Sequence, residues 1–356
     1  MFLCLAVFAC VFQLPETSSG WDVAPVGSPL PFLQKDLQVE TVIESSGIEP
    51  LGNGTHILVV HDKSPGLRVF DRESGQTVGN PLTCPAFPEG LAVGPKWEGL
   101  AHDSHGGYYV IGSHSGKDDN ERTQRAYLFR FQVVGDGSTE RPWAIQADSV
   151  RRWHIADSLL KNLTTTGLAT DRIDRRKIEG LAVRETYDPA GKVQDRYLAI
   201  GLREPDELVR VFEVNISSLP EPESQLDLRP AFTFAAGRSP DGQENMQLTS
   251  LERVNEGTNR GYFVVTASED AENVFHGNRL WFVPDQQLAD TKAGVSVTPE
   301  LVWTFEASQK AEGFAILNSG PDHALTAIVV FDNDAHKTST PSRFQRLTLK
   351  HRTRTP

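Results

Sequence analysis

One phrase recurs five times along this 356-residue chain, and that recurrence limits the fold more than any local pattern does. Each copy is a strand-like stretch with an acidic residue near its start, then a turn, an apolar run and a polar cluster. The copies are GIEPLGNGTHILVVHDKS from Gly47, KWEGLAHDSHGGYYVIGSHSG from Lys96, and KIEGLAV from Lys177 continuing to YLAIGLREP at Tyr197. QLTSLERVNEGTNRGYFVVTASED from Gln247 and KAEGFAILNSGPDHALTAIVVFDND from Lys310 complete the set. They lie about 50 to 80 residues apart, the span of one blade of a β-propeller. A third apolar run follows each cluster, at Leu67, Ala126, Leu208, Arg279 and Phe344, and a fourth is readable at Ala144, Ala231 and Val302. All are short, β-branched or aromatic, and bounded by turn residues.

The fold class is therefore all-β, a β-propeller of five blades. Six is the alternative count, because the second interval is long. A helical insert around SLLKNL (from Ser158) is the simpler reading of its extra residues. VETVI at Val39 is expected to complete the last blade, so that an N-terminal strand closes the ring and removes an open edge. The propeller is placed at 37–350, after an extension at 21–36 and before a tail at 351–356.

Phe2 to Phe12 reads FLCLAVFACVF, too short to cross a bilayer but of the length of a signal-peptide core. No Lys or Arg precedes it, which is unusual for such a segment. Residues 1–20 are read as a signal peptide and the mature chain as secreted or periplasmic. A first buried strand and a lipid anchor at Cys10 are the alternatives. Cys4 and Cys10 fall in that segment, which leaves Cys84 without an intrachain partner. Asn53, Asn162 and Asn215 head acceptor triplets for N-glycans. Lys+Arg 35 against Asp+Glu 47 gives a net charge of −12, which argues against a nucleic-acid partner. No apolar run reaches the roughly 18 residues of a membrane span. A monomer is expected.

In a propeller the first strand of each blade lines the central channel. Equivalent residues then meet at one height, and the repeat nominates Glu49, Glu98, Glu179, Thr249 and Glu312. Gly99, Gly180 and Gly313 follow three of the glutamates, where a missing Cβ lets strands crowd together. Carboxylates about 6 Å apart repel by roughly 3 kcal/mol per pair at an effective dielectric near 20. Protons or a cation must offset that repulsion. Oxygen-only ligands favour a hard ion, and Ca²⁺ tolerates such a ring better than Mg²⁺. The alternative is that backbone N–H groups or Lys96, Lys177 and Lys310 cap the glutamates.

The polar clusters should line one mouth of the channel. Candidate catalytic residues are Asp62, His114 and Arg203; candidate substrate-binding residues are Lys63, Ser113, Lys117 and Glu269. Cations and proton-transfer groups above a metal suit an anionic substrate and an activated water. Asp332-Asn333-Asp334 is read as turn chemistry.

The phrases WEGLA…GGYYVIGSHSG, IEGLA…YLAIGLREP and AEGFA…IVVFDND resemble an uncharacterised, mostly bacterial exported family, domain-of-unknown-function family 3616. That resemblance runs from about residue 40 onward and implies a propeller without an assigned reaction. The chain also resembles the calcium-dependent apyrase nucleotidases, five-bladed propellers with one Ca²⁺ on the axis. Their blades begin, in order, with Ser, Glu, Glu, Ser and Glu ligands, which match Glu49, Glu98, Glu179, Thr249 and Glu312 here. Glu49 and Thr249 depart from that pattern. Their fourth blade's Ser-Glu-Glu matches Ser268-Glu269-Asp270. Their Asp-Asp-Arg-Thr-Gly is replaced here by His61-Asp62-Lys63-Ser64, and their Arg pair by Arg203 alone. This resemblance implies the metal more than the nucleotide chemistry.

The expectation is an exported Ca²⁺-binding propeller that hydrolyses a phosphate or ester substrate at the channel mouth. The rival is a non-enzymatic module that binds a glycan or small anionic ligand, with Ca²⁺ knitting the blades together.

Overall fold

The computed structural model describes residues 20–352 except 35–38, 41–43, 62–65, 84–95, 166–176, 205–206, 220–224, 258, 271, 273, 290–294, 307, 320–323 and 333–341. Residues 1–19 of the expected signal segment, Cys84, Asp62 and Lys63 lie outside the described residues.

The protein is a five-bladed β-propeller. The innermost strands are Ser45–Leu51, Trp97–His102, Lys177–Tyr187, Gln247–Val254 and Ala311–Ser319. Each pairs antiparallel with the next strand in sequence: His56–His61, Gly107–Gly112, Val193–Glu204, Gly261–Glu269 and Leu325–Phe331. The expected third runs form the next strands outward, Arg68–Asp71, Tyr127–Val134, Leu208–Asn215, Phe275–Pro284 and Arg343–His351. Fourth positions are filled by Ala144–Ile145 with Arg151–His154, by Arg229–Ala235 and by Glu300–Thr304. In the first blade, bridges from Phe70 to Thr77 and from Leu67 to Leu82 take that place.

Alternating side chains on twisted sheets give each blade two apolar faces, and neighbouring blades bury them against each other. Five separate cores result, one at each blade–blade interface. The extra residues of the long interval form the helix Ala156–Thr165 rather than a sixth blade. Its Leu159 and Leu163 are fully buried in the core between blades two and three. No helix among the described residues is long and apolar enough to cross a membrane.

Closure by an N-terminal strand holds, but a different segment performs it. Trp21–Pro31 pairs antiparallel with Arg343–His351, from Trp21 opposite His351 to Pro31 opposite Arg343, with a register shift between Val26 and Leu30. Val39–Glu40 instead makes a two-residue pairing with Leu33–Gln34. The closing strand holds Pro25, Pro29 and Pro31, and Gly27 sits at a positive φ of 75° within an irregular stretch of the pairing. Prolines are tolerated there because the strand is the outermost of its blade and one side needs no ladder partners.

Trp21 fastens the closure. It is 1% exposed, and its ring meets Phe263, Phe282 and His351 at centroid separations of 5.2, 5.0 and 4.9 Å. It thus joins blade five to blade four. Trp21→Ala is expected to cost about 3–5 kcal/mol, as for other buried large-to-small changes. Urea unfolding of the variant checks this; a loss below about 1 kcal/mol would mean that the closing strand is not fastened through this ring.

Candidate functional site

Every innermost strand carries a one-residue irregularity near its start. Trp97 opposes Gly112 and Gly99 opposes Ile111, so Glu98 is the extra residue. The same slip falls at Glu179, Thr249 and Glu312. A bulge re-aims the side chain it carries, here alike in successive blades. In the first blade the slip lies between Ser45 and Gly47, which makes Ser46 the equivalent residue. Glu49 is therefore corrected: it sits three residues further along its strand. Gly47 aligns with Gly99, Gly180 and Gly313, and a Cβ on Gly180 would stand 2.7 Å from the Leu251 Cβ of the next blade.

The ring is buried: Ser46 is 3% exposed, Glu98 3%, Glu179 2%, Thr249 0% and Glu312 6%. Each glutamate faces the lysine two positions before it. Lys96 Nζ lies 3.4 Å from Glu98 Oε1, Lys310 Nζ lies 2.7 Å from Glu312 Oε1, and Lys177 is in contact with Glu179. Arg203 bridges Glu179 at 3.4 Å and Glu269 at 2.6 Å, and Lys310 reaches Glu269 at 2.9 Å. Thr249 Oγ1 donates to the Ala311 carbonyl at 2.8 Å. Four carboxylates and four cations thus share one buried cluster.

Opposite charges in equal number do not make the groups equivalent. Burial opposes the charge on every member. It pushes Glu98 up to about 8, with Glu179 adding to the rise and Lys96 opposing it. Burial also raises Glu312, against Lys310. For Glu179 burial is outweighed by Lys177 and Arg203, and its carboxyl is lowered. Burial of Glu269 is likewise outweighed by Lys310 and Arg203, which hold it down to about 2. Glu98 is the member whose charge is least compensated.

Glu49 belongs to a second layer. Its register equivalents are Ala101, Ala182, Glu252 and Ala315, all buried. Glu49 Oε2 is 2.6 Å from His102 Nδ1. Burial raises both Glu49 and Glu252, and Glu49 adds to the rise of Glu252. Burial alone would lower His102, but Glu49 outweighs it and the imidazole is raised.

Of the remaining candidates, Arg203 and Glu269 enter the axial cluster. Ser113 is fully buried, with its Oγ 2.8 Å from that of Ser115. His114 is also fully buried, at a left-handed φ of 58°. Lys117 is exposed on the turn entering the short helix Asp119–Gln124. Sequence reasoning missed Ser46 and treated the three lysines only as caps. The signals were the Ser46-Gly47 pair and the repeated K-x-E-G.

Among the described residues, no group of three His, Cys, Asp or Glu side chains is arranged to hold a metal, because the glutamates turn toward lysines. The donor chemistry of the ring still suits a hard cation: three carboxylates and two hydroxyls, with no sulfur or imidazole. Glu98 is raised chiefly by burial, with Glu179 adding to the rise, so its carboxyl is the ring member that most readily holds a proton.

The sign of the Glu98 effect follows from linkage. Its pKa rises from 4.5 in the unfolded chain to about 8, so the folded state holds a proton that the unfolded state releases. Stability falls as pH rises through that window. In chelator-containing buffer, Glu98→Gln is expected to make this fall shallower, leaving the part due to the raised Glu49, Glu252 and Glu312 carboxyls. Urea titrations across the window check it, and an unchanged slope would show that Glu98 ionises freely.

Neither a protein-family model nor a curated protein matches the sequence, so the two family resemblances stand on their motifs alone. The chain is similar to solved structures at low identity. With the Dos1 propeller it shares 9% identity, covering 86% of this chain and 59% of that one, at a TM-score of 0.36. With an exo-β-1,3-galactanase from Phanerochaete chrysosporium the values are 8%, 91%, 63% and 0.45. With the calcium-binding protein regucalcin from Agrobacterium tumefaciens they are 12%, 92%, 98% and 0.37. The chain spans about three fifths of the length of the Dos1 and galactanase chains. These distant likenesses add nothing to the fold read from the strand pairing.

Proposed function

We propose that this is an exported propeller whose axial ring takes Ca²⁺ and whose channel mouth takes a small anionic molecule, a phosphate or ester, for hydrolysis. One observation carries the reading. The same bulge in all five blades brings Ser46, Glu98, Glu179, Thr249 and Glu312 to equivalent positions, with Lys96, Lys177 and Lys310 beside the three glutamates. With Ser46 in first place, the order Ser, Glu, Glu, Thr, Glu also follows the apyrase ligand order, with one conservative change.

A bound Ca²⁺ would supply a Lewis acid that polarises a substrate oxygen. The protein's part is to hold the anion. The glutamates cannot serve a cation and their lysines equally, so a loaded ring frees ammonium groups. Lys96 and Lys177, with side chains 23% and 21% exposed, are the freed groups nearest solvent. Arg203 is 7% exposed and clasped by two carboxylates, which suits it to positioning Glu179 and Glu269 rather than gripping substrate. Cation and anion should therefore bind with positive coupling, each strengthening the other by the same factor.

The second reading is binding of a glycan or small anion without turnover. The complete burial of His114 favours it, since a proton-transfer group must reach the substrate.

The test is calorimetry with Ca²⁺, with and without ADP or phosphate, together with turnover assays on nucleoside diphosphates, phosphomonoesters and lactones with and without chelator. Ca²⁺ binding that is lost in Glu179→Gln, and anion binding that needs Ca²⁺, are expected. Absence of Ca²⁺ binding would end the reading; binding without turnover of any substrate would leave the second one.

A further inference from the structure

At the opposite end of the channel from the lysines, a cleft of about 500 Å³ opens between blades three and four. The strand that begins at Lys177 ends there, with Arg184 and Tyr187 on the cleft wall. In a chain of net charge −12, four arginines line this one cleft.

They are arranged as two groups, each with one carboxylate between two guanidiniums. Arg184 grips Glu213 with both arms, at 2.7 and 2.8 Å, and Tyr262 donates to the same carboxylate at 2.8 Å. Arg229 reaches Glu213 only at 3.5 Å. In the second group Arg253 holds both oxygens of Asp285, at 2.7 and 2.8 Å, while Arg260 lies 3.9 Å away. Each carboxylate is thus spent on its inner arginine. The outer arginines, Arg229 and Arg260, are 51% and 55% exposed and carry the surplus positive charge of each group. Glu185, the remaining acid of the lining, accepts from Ser104 N and Oγ at 3.0 and 2.6 Å and from the Tyr187 hydroxyl at 3.0 Å.

The inner arginines and their carboxylates form a fixed frame. Arg184 also stacks over Tyr197 at 4.2 Å and Arg253 over Tyr262 at 4.7 Å. Arg229, 4.6 Å above the Tyr197 ring, is braced by the same tyrosine, and Glu213 engages it only through a long 3.5 Å bond from Nη2. Guanidinium forks match the oxygens of phosphate and sulfate, which accept two parallel N–H bonds. A second cavity of about 300 Å³ adjoins the first and shares Tyr187 and Arg260 with it. Glu256 lines that extension, so its occupant should be uncharged and rich in hydroxyl donors, with the Tyr187 ring as a face.

We propose that this cleft is a second ligand site, separate from the channel mouth. It takes a sugar carrying a phosphate or sulfate ester, with the ester between Arg229 and Arg260 and the sugar ring toward Tyr187 and Glu256.

The experiment is calorimetric titration with glucose 6-phosphate, glucose 6-sulfate, glucose and inorganic phosphate in EDTA-containing buffer, which excludes a calcium-dependent mouth site. At least one ester should bind saturably, more tightly than glucose or phosphate, and the better one identifies the headgroup. Arg229→Ala and Arg260→Ala, both at exposed positions, should each weaken it by on the order of tenfold or more. The control Arg352→Ala, on blade five, should not. If neither ester binds, or if both arginine variants bind as the parent does, the cleft is not such a site. Failure here leaves the calcium reading untouched, because that reading is tested with the cation present.

Discussion

Five strands can share one axis only if backbone approaches backbone, and that crowding governs much of what the structure does near its centre. Gly99 and Gly180 mark the closest approaches, each with a neighbouring leucine Cβ within 2.8 Å of where its own Cβ would stand. A side chain at these positions would push two blades apart at the point where they converge. The bulge just before each glycine is the complementary device. It turns one side chain out of the crowded pleat and toward the others of its ring.

Bringing charges together in that confined space requires compensation, and the molecule supplies it from the same strands. Each lysine stands two residues before its glutamate. Arg203 and Glu269 come from second strands and tie neighbouring blades together. A buried ion-pair network of this kind contributes little net stability, because desolvation consumes most of the attraction, but removing one partner is costly. The second layer shows the other solution. There three alanines replace charged groups, and burial leaves Glu252 and Glu49 as weak acids, with His102 beside Glu49.

The repeat was legible because strand, turn and apolar run recur, three times with a glutamate-glycine pair, and it pointed to the inner strands and to five blades over six. The helix at Ser158 was legible only as the simpler account of the long second interval. Two features were hidden for physical reasons. The closing strand reads as a breaker segment because of Pro25, Pro29 and Pro31, which only an edge position permits. Ser46 carries no acidic side chain to mark it, and only the backbone register, through Gly47, sets it level with the glutamates. The arginine cleft had no signal in the sequence at all. Arg184, Arg229, Arg253 and Arg260 come from separate strands and turns, and only the packing of blades three and four unites them.

The pairing of Trp21–Pro31 with Arg343–His351 joins segments more than three hundred residues apart, as the contact of Arg352 with Asp22 across 330 positions illustrates. Local hairpins can form within each blade as the chain emerges during synthesis, but the last sheet has no outer strand until its partner from the beginning of the chain returns to it. Until then one edge stays open to other chains. The price of a closed ring is thus a late, entropically demanding step, and the rate of productive folding should depend on how long the first segment remains unpaired.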